Sequence, residues 1–252
     1  MRTIVITGVG EGLGRTLAGL YANRGERVFG CDIGLEGLEE LRRSHPGVAT
    51  LRADVSRPED VEALFAMVSA AGSAVDALVN NVGIAGPRAN IEDVSIEDWN
   101  ASIQTNLTGA FLCIKHALPG MKAQRSGAIV NISTGSVRTL PPARSPYITS
   151  KAALEGLTRA IAREVGPFNV RCNAVQPGLM DNARLARILS RVAQQSGKST
   201  ADIEAEALSF VSMRSKVQMS EVADMVDFLC SDAARHVTGQ IIGVDGGVEW
   251  EA

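Results

Sequence analysis

Tyr147 and Lys151 stand four residues apart in the run Tyr147-Ile148-Thr149-Ser150-Lys151. At the start of a helix, that spacing puts a phenol and an ammonium on one face. A free tyrosine, with an ordinary pKa of ~10, handles protons poorly at neutral pH; a neighbouring cation stabilises its phenolate and lowers that value. The pair is therefore a candidate general acid/base for moving an alcohol proton.

A second group of residues suits a dinucleotide. Thr7-Gly8-Val9-Gly10-Glu11-Gly12-Leu13-Gly14 follows the apolar run Ile4-Val5-Ile6 and leads straight into a helical pattern. At a strand-to-helix turn, glycines let the backbone approach a pyrophosphate, and the unpaired N–H groups of the helix N-terminus attract it. The G-x-G-x-x-G spacing fails because Leu13 stands where its last glycine belongs. T-G-x-x-x-G-x-G is met, through Gly8, Gly12 and Gly14. Asp32 ends the next apolar run about 20 residues later, where a carboxylate accepts hydrogen bonds from the adenosine ribose and repels a 2′-phosphate. Glu11 adds a negative charge, while Ile33 and Gly34 supply no arginine for a phosphate. NAD(H) is thus expected rather than NADP(H). A tight glycine turn without a ligand and an ordinary strand-end Asp32 are the alternatives.

These groups need elements to hold them. Short β-branched runs alternate with segments whose apolar residues recur at three and four, the pattern of βαβ units on a parallel sheet. Strands are expected at Thr3–Thr7, Arg27–Asp32, Val48–Ala53, Ala77–Asn80, Ala128–Ser133, Val170–Val175 and Gln240–Val244. Helices are expected at Gly12–Asn23, Leu35–Arg43, Pro58–Ala71, Ile96–Lys122, Ser150–Glu164 and Ser220–Cys230. Ser56-Arg57-Pro58-Glu59 and Ser95-x-x-Asp98 read as helix starts. The result is one doubly wound, Rossmann-type α/β domain over residues 1–252, a seven-stranded parallel sheet with helices on both faces. A helix–turn–helix excursion at about 179–213, broken by Ser196-Gly197-Lys198-Ser199-Thr200, leaves the regular wind and is placed to cover a pocket.

Composition narrows the function. With 252 residues, 45% apolar content and 25 glycines, the chain suits one large, turn-rich domain. A net charge of −3 and a pI near 5.7 give no field for gathering nucleic acid or anionic lipid. Cys31, Cys113, Cys172 and Cys230 lie far apart without a C-x-x-C pair, as buried thiols in a reducing cytosol would. His45, His116 and His236 have no ligand spacing, so no metal is expected. No signal h-region and no run of 18 apolar residues occurs, and a cytoplasmic location away from membranes is expected.

The glycine loop, Asn80-Asn81-Val82-Gly83, Asn106, Asn131-Ile132-Ser133-Thr134, the Tyr147–Lys151 pair, Pro177-Gly178, Thr238-Gly239-Gln240 and Asp245-Gly246-Gly247 follow one another in order. On these elements and over the whole chain, they resemble the short-chain dehydrogenase/reductase family. The resemblance implies hydride transfer between NAD(H) and a secondary alcohol or ketone, without a metal. Tyr147 would carry the alcohol proton, Lys151 would tune it and hold the nicotinamide ribose, and Asn106 would fix a water in a proton relay. The family's hydroxyl residue falls thirteen positions before the tyrosine, at Thr134, where serine is commoner; Ser133 is the alternative. Asp54-Val55 match the adenine-binding pair, Asn80, Asn81 and Gly83 belong to the segment lining the nicotinamide side, and Pro177 and Gly178 contact the cofactor. The family often has a threonine four positions beyond that glycine; Leu179-Met180-Asp181-Asn182 stands there instead, and Asn182 would be its substitute. Homotetramers, built through long helices and the C-terminal segment, are the family's common assembly, and Trp250 would suit such an interface.

The substrate is less defined. Arg138, Arg144, Arg88 and the set Arg184, Arg187 and Arg191 fall in regions that border the pocket in this family. They would clamp an anion or stand as solvated surface charges. The excursion resembles the longer substrate loop of members acting on small hydroxy acids, such as 3-hydroxybutyrate dehydrogenase, while polyols, sugars and 3-oxoacyl compounds stay open. The rival function is a non-catalytic NAD(H)-binding sensor or scaffold on the same fold.

Overall fold

The computed structural model describes residues 1–72 and 74–248, except the side chains of residues 183, 184 and 195. Seven strands form one parallel sheet: β1 (Thr3–Thr7), β2 (Arg27–Asp32), β3 (Ala49–Arg52), β4 (Ala77–Asn80), β5 (Gly127–Ile132), β6 (Val170–Pro177) and β7 (Ile241–Val244). Their order is β3-β2-β1-β4-β5-β6-β7, so the wind reverses between β1 and β4. A crevice opens at such a reversal, beyond the carboxyl ends of the strands.

Side chains alternate across the sheet and give it two apolar faces. Ile4, Ile6 and Val130 pack on one side with Leu17 of α1 (Gly12–Asn23), Leu38 of α2 (Leu35–Ser44) and Val226, further along the chain. Val5, Ile129 and Cys172 pack on the other with Leu64 of α3 (Pro58–Ala70), and with Leu112 and Ile161 from later helices. Pro58 occupies the first turn of α3, but Arg57, not Ser56, is the residue before that helix; the Ser56 hydroxyl donates to Asp54 instead.

The expected helix Ile96–Lys122 is interrupted. It is α4 (Ile96–Ile103), a five-residue π turn (Gln104–Thr108) and α5 (Gly109–Gln124). Ser95 starts it as expected, its Oγ accepting from Asp98 N at 3.0 Å. After a single turn of helix, α6 (Ser136–Thr139), the helix carrying Tyr147 is α7 (Ser145–Val165). It begins five residues before the expected Ser150, with Pro146 in the first turn, where its missing N–H costs nothing.

The excursion is a hairpin of α8 (Ala183–Ser196) and α9 (Thr200–Leu208), with a small core of its own from Leu189, Ala193 and Ile203. Its base is closed where Met180 bridges Val217 and Lys216 bonds Asp181 and Glu204, each at 2.9 Å. The last helix is α10 (Met219–Cys230). Among the described residues, no helix is long and apolar enough to cross a membrane. Trp250 lies outside the described residues.

Candidate active site

The glycine turn sits at the β1–β4 crevice, with Gly8 and Gly12 at φ +74° and +55°, a region open to glycine at no cost. A Cβ on Gly14 would fall well inside contact with the Gly8 carbonyl and 2.7 Å from Asn81 Nδ2, so Gly14 allows α1 to start tight against β1. Beside Gly12 the space is open, the nearest atom to a Cβ there being Met219 Sδ at 4.0 Å. Glu11 precedes α1 without capping it, which leaves the first N–H groups of the helix for an anion. The Leu13 side chain is in the core and leaves only its backbone facing this turn.

Asp32 lies across the same turn. Its Oδ2 accepts from Gly10 N at 2.9 Å and its Oδ1 from Gly34 N at 2.8 Å, and a Cβ on Gly10 would stand 2.7 Å from its Cγ. Glycine at position 10 is therefore what gives the carboxylate room. Ile33 is 65% exposed at the rim. Arg52 pairs with Asp32 in strand register and donates to the Ile33 carbonyl at 3.3 Å. Sequence reasoning missed this cation beside Asp32, because strand pairing rather than chain proximity brings it there. Asp54 Oδ1 accepts from Ser56 N and Oγ, while Val55 is buried against Gly109. An open, uncapped helix N-terminus beneath glycine backbone, with a carboxylate at the ribose side, fits a dinucleotide.

Beyond β4 the asparagines divide. Asn81 Nδ2 donates to the carbonyls of Thr7 and Gly8 at 3.0 and 3.2 Å, stitching this segment to the glycine turn. The Asn80 side chain, expected at the cofactor, is instead inside the sheet, donating to Asn131 Oδ1 at 2.8 Å; Asn131 donates in turn to Thr158. Cross-strand pairing of residues 80 and 131 makes that contact and buries the Asn80 side chain. Gly83 faces Lys151, since a Cβ there would stand 3.0 Å from its Nζ.

Lys151 is 3% exposed, and its Nζ donates to the Ile132 carbonyl at 2.7 Å. One turn earlier on α7 is Tyr147, partly exposed, with the Arg144 guanidinium 4.7 Å from its ring centroid. Asn106, in the π turn, spans the gap between segments: its Oδ1 accepts from Ile84 N at 2.7 Å, and its Nδ2 donates to Ile84 O at 3.0 Å and Ser150 Oγ at 2.9 Å. Ser150 Oγ donates to the Tyr147 carbonyl at 2.8 Å. Interrupted helices of this kind cluster at functional sites.

The two candidate hydroxyls point apart, as successive side chains of an extended strand must. Thr134 is partly exposed and accepts from Ser136 N, whereas Ser133 is buried and donates to Glu155 at 2.5 Å. At the next strand, Pro177 O accepts from Gly135 N at 3.1 Å, and a Cβ on Gly178 would stand 2.7 Å from Asp245 Cα.

The arginines separate likewise. Arg138 pairs with the buried carboxylate of Asp245, with 47% of its own side chain exposed. Arg88, Arg187 and Arg191 are exposed, and the Arg184 side chain lies outside the described residues. Among the described residues of this set, Arg144 adjoins the phenol. Asn182 caps α8 through its Oδ1. All four cysteines are buried; burial pushes the Cys31 and Cys172 thiols up to about 12 and that of Cys230 to about 11. Among the described residues, no cluster of three or more histidine, cysteine, aspartate or glutamate side chains is arranged to hold a metal.

A family model described as enoyl-(acyl carrier protein) reductase matches residues 8–249. The chain is 35% identical to cis-4-hydroxycyclohexanecarboxylate dehydrogenase of Sinomonas cyclohexanicum over 98% of its length and 96% of the relative's. It is 32% identical to 2-(R)-hydroxypropyl-CoM dehydrogenase of Xanthobacter autotrophicus, covering 97% of each chain. Among solved structures, NAD+-bound xylitol dehydrogenase superposes with a TM-score of 0.89 at 28% identity, over 98% of both chains. Levodione reductase does so with a TM-score of 0.88 at 30% identity, over 97% of this chain and 96% of that one. With its sheet order, its glycine turn and its Tyr147–Lys151 pair, the chain belongs to the short-chain dehydrogenase/reductase family of oxidoreductases.

Proposed function

We propose that the protein interconverts a secondary alcohol and a ketone with NAD(H), using Tyr147 as the acid/base. The observation that carries this is the buried ammonium of Lys151 one helical turn from the half-open phenol of Tyr147, on the same helix face. Bound NAD+ supplies the hydride acceptor at its nicotinamide ring. The chain's residues do the rest: the first turn of α1 and Gly12 hold the pyrophosphate, and Asp32 takes the ribose hydroxyls. Thr134 donates to the substrate oxygen, and the Tyr147 phenolate, stabilised by the Lys151 ammonium, accepts the alcohol proton and becomes neutral as hydride leaves the carbinol carbon. Asn106 keeps Gly83 and Ile84 against this group, next to the path by which a proton reaches solvent. A ketone is reduced by the same moves in reverse.

For the substrate we favour a small hydroxy acid with an apolar, ring-like skeleton. Arg144, at the phenol, offers a fork for a carboxylate and lines an adjoining cavity of about 660 Å³, whose wall is apolar at Ile91, Leu140, Pro141 and Pro142 and polar at Asn90 and Glu92. The 35% identity to a hydroxycyclohexanecarboxylate dehydrogenase supports this choice over polyols and 3-oxoacyl compounds. The test is NADH formation from a panel of cyclic and linear hydroxy acids, polyols and neutral cyclic alcohols. Turnover of hydroxy acids that falls at least tenfold in Arg144→Ala supports the assignment; turnover confined to neutral alcohols rejects it.

A further inference from the structure

Glu155 is a charged residue on the inward face of α7, one turn beyond Lys151, and it is 6% exposed. Its Oε1 accepts two hydrogen bonds, from Ser133 Oγ at 2.5 Å and from Gln176 Nε2 at 2.7 Å. Both donors are 4% exposed. Ser133 directly precedes Thr134, and Gln176 directly precedes Pro177-Gly178, so each donor is one peptide from a residue assigned to the reaction or the cofactor. A carboxylate is costly to bury, and an apolar side chain of equal size would fill this volume more cheaply. Charge-assisted bonds are about twice as strong as neutral ones, so what the carboxylate contributes is fixed spacing among three segments.

Its neighbours extend the same seam. On the same face of α7, Lys151 donates to the carbonyl of Ile132, and the Thr158 hydroxyl accepts from Asn131. Lys151, Glu155 and Thr158 thus bond three consecutive residues at the end of β5, and Glu155 also reaches β6. The bond from Ser133 has a second effect: it keeps that hydroxyl turned inward, which leaves Thr134 as the hydroxyl on the substrate side.

We infer that Glu155 is a positioning residue: its carboxylate locks Ser133 and Gln176 to the helix of Tyr147 and Lys151, fixing the distance from the Thr134 hydroxyl to the phenol. This rests on the dehydrogenase reading above. A displacement of about 1 Å between reacting groups can cost on the order of 100-fold in rate, so the effect belongs in kcat. The pyrophosphate and ribose contacts proposed above, at the glycine turn and Asp32, lie on other segments than the three that Glu155 joins, so NADH affinity should change little.

The experiment compares Glu155→Leu, Glu155→Gln and Ser133→Ala with wild type and Tyr147→Phe, measuring kcat, KM and the dissociation constant for NADH by fluorescence. Glu155→Leu is expected to lose about 30-fold or more in kcat, with NADH affinity within about threefold of wild type. Glu155→Gln, whose amide oxygen accepts the same two bonds, is expected to recover kcat to within about fivefold of wild type. A merely space-filling role would lower thermal stability and leave kcat per folded molecule unchanged. Glu155→Leu within threefold of wild type in kcat overturns the inference, as does Glu155→Gln falling as low as Glu155→Leu. Should Glu155→Leu not fold, Ser133→Ala decides: a five- to tenfold loss in kcat at constant NADH affinity supports the clamp, and wild-type kcat overturns it. Turnover by Tyr147→Phe equal to wild type would reject the dehydrogenase reading itself, whatever the Glu155 variants do.

Discussion

Replacing Asn106 with alanine removes one side chain that makes three hydrogen bonds: with Ile84 N at 2.7 Å, Ile84 O at 3.0 Å and Ser150 Oγ at 2.9 Å. The side chain is 1% exposed, so the lost bonds are not replaced at its own position. Each such bond has a net worth of about 0.5–1.5 kcal/mol. Ile84 is 38% exposed, and water can reach part of its peptide once the asparagine is gone, which argues for the lower half of that range. Asn106→Ala should therefore destabilise the fold by about 1.5–3 kcal/mol, or about 3–12 °C in Tm for a chain of this size. Activity should fall further than stability, because Ser150 relays the restraint to the Tyr147 carbonyl. A loosening of the acid/base helix by a fraction of an ångström should cost about 10- to 100-fold in kcat. Thermal unfolding followed by circular dichroism gives the first number, and initial rates of NADH formation well below Tm give the second. A Tm shift under 2 °C with unchanged kcat would refute the bridging role.

Three further outcomes follow from the same geometry. Asp32→Ala should lower the preference for NAD over NADP, as a ratio of kcat/KM values, by about 10- to 100-fold, the worth of one or two charged bonds to ribose; Arg52 then stands beside the 2′-position unopposed. Gly14→Ala forces a methyl against the Gly8 carbonyl and should cost about 3 kcal/mol, with NADH binding weakened more than tenfold. Gly12→Ala meets open space and should cost only the about 1–2 kcal/mol of its left-handed backbone. Because burial holds the thiols protonated, with Cys31 and Cys172 up to about 12, none of the four should react with a disulfide reagent at pH 8 until the chain unfolds. The sign of the linkage is that folding stability is full below the ordinary thiol value of 9.0 and declines as pH rises from there toward 12.

Much of the fold was legible because its signals are local. β1, β2 and β4 begin and end where their β-branched runs do, and α1 begins at the glycine turn that permits it. The single-helix expectation for Ile96–Lys122 failed at Gln104–Thr108, since a π turn adds a residue without disturbing the apolar spacing on either side. Pro146 could have been read as a helix start, which would have placed Tyr147 inside α7 instead of at its edge. The site divides in the same way. Tyr147, Lys151, Asp32 and the glycines announce themselves by spacing along the chain. Asn80, Ser133 and Arg138 do not reveal their partners, which are Asn131, Glu155 and Asp245, because those contacts depend on which strands lie side by side. A glutamate among the inward positions of a helix is a visible anomaly, but only strand order tells what it bonds.

Turnover by Tyr147→Phe tests the central claim most directly. The variant keeps the ring beneath Arg144 and removes only the hydroxyl that carries the proton. With an alcohol that wild type oxidises, NADH formation at 340 nm should fall by about 10³-fold or more, while NADH affinity changes little. Wild-type rates in Tyr147→Phe, with the same alcohol and the same cofactor, would contradict the account.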